Sequence, residues 1–312
     1  MSFPKHLLGL RDLSRENIIM ILDQAAGMKK IIDDRELRND SLKNASIITL
    51  FYENSTRTKM SFMMAGEYLG AKIDDLGILT SSVSKGESLA DTGINLDQMG
   101  INIMIIRHQM TGAAHFLAKH VGASVINAGD GSNEHPTQAL LDIFTIKDHF
   151  GTTDFSGLKV AILGDITNSR VARSNVFGLT KLGAKITLAG PATLLSNGMK
   201  ALGVEVTANI KEAVSDADVV MGLRIQHERQ KTAAFPNIRE YANLFGISAD
   251  IMSYAKKDAI IMHPGPVNRG VEFTPELLDS DRSVIYMQVK NGVAVRMALL
   301  NILAAQQNGR RS

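Results

Sequence analysis

Three short segments and two isolated arginines carry the side chains best suited to chemistry. Ser55-Thr56-Arg57-Thr58 follows an apolar run from Ile47 to Tyr52 and precedes a helical pattern. Backbone N–H groups without intrahelical acceptors meet the positive end of a helix dipole at such a junction, which favours an anion. Hydroxyls at 55, 56 and 58 can add donors, and Arg57 can add a charge-assisted contact to a phosphate. The plainer alternative is that Ser55 or Thr56 caps the helix. In His135-Pro136-Thr137-Gln138, Pro136 suits the first helical position, making His135 the N-cap. A neutral imidazole there can donate to a carbonyl oxygen, and the Gln138 amide can hold an NH2 group; a simple capping histidine is the alternative. His263-Pro264-Gly265-Pro266 follows the apolar run Ala259 to Met262. Two prolines around a glycine stiffen a loop where open α/β sheets bind ligands, and its carbonyl oxygens can accept; a tight turn is the alternative. Arg170 and Arg224 add cations to the second half, with surface ion pairing as their ordinary use.

Those segments need elements to hold them. Apolar runs alternate with helical patterns along the chain, which predicts an α/β fold: two doubly wound domains with mainly parallel sheets. Ser14 predicts a helix N-cap, followed by a stripe of Ile18, Ile21, Leu22 and Ala25. A helix after Thr58 places Met60, Met63, Met64 and Tyr68 on one face. Further strands are expected at 72–76, 102–107 and 123–127, then a helix from Pro136 to about Phe150. Gly151-Thr152-Thr153 reads as a boundary. The second series takes strands at 159–163, 185–189, 218–223 and 259–262, and ends on a helix carrying Val295, Ala298, Leu299, Ile302 and Leu303. The expected domains are 1–150 and 151–291, with a terminal helix at 292–312 returning to the first.

Composition removes several classes. The chain has 312 residues, 45% hydrophobic and 21% charged, with 34 Lys+Arg against 32 Asp+Glu. A net charge of +2 gives no basic footprint for nucleic acid. Without cysteine there is no disulfide, thiolate metal site or thiol nucleophile. The eight histidines match no metal-ligand spacing, so neither metal nor cofactor is expected. No apolar run approaches a membrane span and Met1 to His6 does not read as a signal peptide, so a cytoplasmic chain is expected. Val160 to Gly164 opens like a dinucleotide-binding fold, but Asp165-Ile166-Thr167 supplies no second or third glycine.

The three segments, together with Ile106-Arg107-His108, resemble the aspartate and ornithine carbamoyltransferase family in order and spacing, over nearly the whole chain. The resemblance implies carbamoyl transfer from carbamoyl phosphate to an amine. It implies that Ser55, Thr56, Arg57, Thr58, Arg107, His135, Gln138, Pro264 and Gly265 bind carbamoyl phosphate, with Arg57, Thr58, Arg107 and His135 catalytic. The segments around Arg170 and Arg224 resemble the aspartate-binding segments of that family. With Lys85 and Gln226 they imply a dicarboxylic acceptor, L-aspartate, in an early step of pyrimidine biosynthesis. Ornithine members usually carry a cysteine in the proline-rich loop; position 264 is proline here. The segment 81–88 resembles a loop that enters a neighbouring subunit's site, which implies a homotrimer with Ser81 and Lys85 acting in trans. Whether regulatory chains join that trimer is left open by the sequence. Ser84 replaces a second lysine, and Gly265 a leucine or alanine, of some members. Another amine acceptor and an inactive scaffold are the rival readings; the intact set of side chains opposes the second.

Overall fold

The computed structural model describes residues 3–34, 39–77, 86–225 and 237–311. Contacts divide the chain into two compact units, Met1–Phe144 with Lys290–Ser312, and Thr145–Val289. Both divisions fall inside helices, whereas the boundaries expected from the sequence lie at 150/151 and 291/292.

In the first unit, β1 (Ser46–Phe51), β2 (Lys72–Asp75), β3 (Ile103–His108) and β4 (Ser124–Asp130) form a wholly parallel sheet in the order β2-β1-β3-β4. β-Branched residues suit the pleat, and burial on both faces suits an internal parallel strand: all seven residues of β4 are buried. One face packs Ile48, Leu50, Met104, Ile106 and Val125 against Leu96 of α3 (Leu89–Gln98) and Leu117 of α4 (Ala113–Ala118). α1 (Arg15–Asp33) starts at Ser14, whose hydroxyl accepts from Asn17 N at 3.2 Å, and buries the expected stripe. α2 (Thr56–Tyr68) buries Thr58, Phe62 and Ala65, while Met60 and Met64 are exposed. The methionine face is therefore the outer one; the inner face is marked by one phenylalanine and small residues.

α5 (Pro136–Phe150) matches its expected range. α11 (Ile285–Arg311) starts seven positions ahead of 292. Its Val295, Ala298, Leu299 and Leu303 are fully buried, and Gln307 Nε2 donates to Ser124 Oγ at 3.1 Å at the start of β4.

In the second unit the parallel sheet runs β7-β6-β5-β8-β9, from β5 (Lys159–Leu163), β6 (Lys185–Ala189), β7 (Glu205–Thr207), β8 (Val219–Gly222) and β9 (Ile260–Met262). β7, a short polar edge strand, was not anticipated, having no apolar run to mark it. Ala161, Leu163, Val220 and Ile261 pack with Val214 of α7 (Ile210–Val214), Ile251 of α9 (Ala249–Met252) and Phe273. α6 (Arg170–Lys181) follows β5; α8 (Ile238–Phe245) and α10 (Pro275–Leu278) complete the helices among the described residues. No described helix is long and apolar enough to cross a membrane.

Candidate active site

Strand order decides where each sheet can hold a ligand. In the first, the chain steps from β1 outward to β2, then returns to place β3 on β1's other side. The connections leaving β1 and β3 therefore diverge, opening a crevice at their C-terminal ends. Ser55-Thr56-Arg57-Thr58 follows β1, and Arg107 lies in β3 opposite Phe51. Ser55 is the N-cap of α2 by backbone position, yet its side chain makes no capping hydrogen bond. The capping alternative for its hydroxyl therefore fails. Thr56 and Arg57 are exposed and Thr58 is buried.

Arg107 is held from two sides. Nη2 pairs with Glu53 Oε1 at 3.2 Å, and Nη1 donates to Ala128 O at 3.3 Å. The β3–β4 register shifts between Ile106 and His108, a bulge of the kind that re-aims a side chain. The neighbouring His108 stacks obliquely on Tyr52 at 4.7 Å, and its Nδ1 accepts from Met110 N at 2.9 Å. Burial lowers its pKa, opposed by Asp130 and Glu53, so a neutral imidazole is favoured.

At the end of β4, Asp130 accepts from Gly112 N at 2.7 Å, Asn127 Nδ2 at 2.8 Å and Glu134 N at 3.2 Å. These bonds brace the turn leading to His135. The His135 carbonyl accepts from Ala139 N at 3.2 Å, which makes His135 the N-cap of α5. His135 and Gln138 are both buried, and Gln138 Nε2 donates to Asp142 Oδ1 at 2.9 Å.

In the second sheet the strand order reverses between the parallel strands β5 and β8, which opens a second crevice there. Arg170 follows β5 and Arg224 follows β8, flanking that crevice. Leu223 N donates to Leu163 O at 2.7 Å. Gly164 has φ +130°, and a Cβ there would approach Leu223 O at 3.0 Å, so glycine permits this closeness. Asp165 accepts from Asn168 N at 3.1 Å, and the Ser169 hydroxyl accepts from Ala172 N at 3.0 Å, fixing the turn into α6. Arg170 is only 5% exposed, which removes the surface ion-pair alternative.

After β9, His263 N donates to Gln288 Oε1 at 3.0 Å and His263 Nδ1 accepts from Gly265 N at 2.8 Å. The neutral ring therefore carries its proton on Nε2. Gly265 has φ +67° and precedes a cis bond to Pro266. Ser81, Lys85 and Gln226 lie outside the described residues. No metal-binding group of His, Asp and Glu occurs among the described residues.

Sequence reasoning did not single out Glu53, Glu272 or Asp142. Glu272, 2% exposed, accepts from Ile225 N at 3.1 Å, Asn268 N at 2.6 Å and Asn268 Nδ2 at 2.8 Å. One carboxylate thus ties the Arg224 segment to the proline-rich loop. Burial raises its pKa, opposed by those N–H donors. A raised folded-state value makes this group favour folding most below the ordinary carboxylate range, and less as pH climbs through the raised value. Glu272→Gln should remove that pH dependence from thermal melts. It should also raise the KM for an acceptor bound by Arg224 by about tenfold, since one N–H would then face an amide NH2. An unchanged acceptor KM would show that the clamp does not position Arg224.

Two family models cover most of the chain. The aspartate/ornithine carbamoyltransferase carbamoyl-P binding domain matches residues 5–148, and the Asp/Orn binding domain matches residues 156–303. The chain belongs to the aspartate/ornithine carbamoyltransferase family. It is similar to the aspartate carbamoyltransferase catalytic subunit of Ruminiclostridium cellulolyticum, at 57% identity over 96% of this chain and 95% of that one. The aspartate transcarbamoylase of Trypanosoma cruzi in complex with N-(phosphonacetyl)-L-aspartic acid superposes with TM-score 0.86 at 30% identity, covering 95% and 94% of the two chains. The ornithine carbamoyltransferase of Pyrococcus furiosus gives 0.83, also at 30% identity, covering 95% of each. Backbone likeness thus fits both branches of the carbamoyltransferase family; the far higher identity to the catalytic subunit lies on the aspartate branch.

Proposed function

We propose that this carbamoyltransferase moves the carbamoyl group of carbamoyl phosphate to the amine of L-aspartate, giving N-carbamoyl-L-aspartate and phosphate, an early step of pyrimidine biosynthesis. The observation that carries the reading is the placement of cations at both switch points. Arg57 and Arg107 lie at one, Arg170 and Arg224 at the other. A phosphorylated donor and a dicarboxylic acceptor need such a charge set; ornithine, with one carboxylate and an ammonium, does not.

The phosphate sits on Ser55, Thr56, Arg57, Thr58 and Arg107, at the N-terminal end of α2. The carbamoyl oxygen accepts from Thr58, Arg107 and His135, and its NH2 donates to Gln138 and to the carbonyls of Pro264 and Gly265. Aspartate's carboxylates take Arg170, Arg224, Lys85 and Gln226. The neutral amine attacks the carbonyl carbon, giving a tetrahedral oxyanion. As that collapses, the carbon–oxygen bond to phosphate breaks and the leaving phosphate takes the amine proton. No side-chain base is required, and His135 polarises the carbonyl. Donors aimed at the forming oxyanion contribute about 2.7–4 kcal/mol each. Fixed cations offset the cost of holding two anions side by side.

The working enzyme is a cytoplasmic homotrimer, with Ser81 and Lys85 reaching a neighbour's site. Domains 1–150 and 151–291 bind carbamoyl phosphate and aspartate respectively, and the segment from 292 onward belongs with the first. A colorimetric ureido assay with aspartate and ornithine in parallel tests the acceptor. Product from aspartate and none from ornithine is expected; comparable turnover of ornithine would overturn the assignment.

A further inference from the structure

Gln138 and Asp142 stand one turn apart on α5, a spacing that brings side chains together. Their hydrogen bond, Gln138 Nε2 to Asp142 Oδ1 at 2.9 Å, is buried, and Asp142 is fully shielded from solvent. α11 brings a second buried side chain of charged type into the same unit. Arg296 is 3% exposed, donates through Nη1 to Gly292 O at 2.9 Å, and holds its guanidinium 5.0 Å from the centroid of the Phe62 ring on α2. Burial lowers the Arg296 pKa to about 10, opposed by the attraction of Asp142, so the side chain keeps its charge at neutral pH. In its bond to Asp142 the Gln138 amide turns its NH2 toward the carboxyl group, which leaves Oε1 for a ligand.

We propose that Asp142 is a positioning residue that locks the Gln138 amide with its carbonyl oxygen toward the carbamoyl NH2. This rests on Gln138 being the carbamoyl contact proposed above. With the amide reversed, two NH2 groups would face each other and neither donor would find an acceptor. The lock makes the site prefer an acyl phosphate bearing N–H donors over acetyl phosphate, which presents a methyl group at the same place.

Binding of carbamoyl phosphate, acetyl phosphate and inorganic phosphate, measured by calorimetry on the full-length protein, tests this. The wild type should prefer carbamoyl over acetyl phosphate by about tenfold, the value of one well-placed hydrogen bond. Asp142→Asn keeps the shape but lets the Gln138 amide face either way. The double variant Asp142→Leu/Arg296→Met replaces the buried charges together, so neither is stranded. In both variants the preference should fall to less than about threefold, while inorganic phosphate binds within about twofold of wild type. A variant that keeps the full preference overturns the proposal. So does equal weakening of all three ligands, which marks a merely structural role. If the wild type itself binds all three ligands without preference, Gln138 is not the carbamoyl contact; if it binds none, the proposed function fails first.

Discussion

Arg57→Ala is expected to lower kcat about 100- to 1,000-fold without unfolding the protein, the loss seen when a donor to a developing charge is removed. The side chain is exposed on the first turn of α2, and that helix is held by the buried Phe62 and Ala65. Its truncation therefore opens no cavity, and the melting temperature should stay close to wild type. What it removes is the charge at the crevice between β1 and β3. Nearby Arg107 cannot move over to replace it, because Glu53 and the Ala128 carbonyl fix its guanidinium. A variant with near-normal turnover would refute the phosphate assignment. The same variant tests the proposed trimer. Lys85→Ala chains lack the residue proposed to act in trans, so co-assembly with Arg57→Ala chains should rebuild some complete sites. Verified mixed trimers with no regained activity would place all catalytic side chains of a site in one chain.

The second large effect is expected at Arg224. Arg224→Ala should raise the aspartate KM about 10- to 150-fold, the range for losing a hydrogen bond to a charged group. The dissociation constant for carbamoyl phosphate should stay within about twofold. The division follows from the backbone. Leu223 and Ile225 are buried on either side, tied to Leu163 O and to Glu272 respectively. Removing the side chain between them leaves the end of β8 in place and takes away only the cation. Steady-state kinetics with each substrate varied would decide. Equal weakening of both ligands would mean that Arg224 supports the fold of the site rather than the acceptor.

Much of this protein could be read from local order along the chain. Apolar runs of strand length alternating with helical stripes gave the α/β class; α1 starts after Ser14 as expected, and α5, β5 and β6 match their expected ranges. The motifs were legible because they lie at strand ends and helix starts, where a few adjacent residues determine the backbone. The same local logic missed β7, whose edge position needs no apolar run, and it did not say which face of α2 is the inner one, where Met60 and Met64 prove exposed. Tertiary structure alone chose the strand orders, and so brought Arg107 beside the loop after β1 and Arg224 beside the turn after β5. It also chose the carboxylates that hold these sites: Glu53 for Arg107 at 54 residues' separation, and Glu272 for Ile225 at 47. Side-chain type says which groups can pair, but burial and sheet order decide which of many acidic residues arrives. Charge in a shielded place must find its partner through space, and no periodicity records that choice.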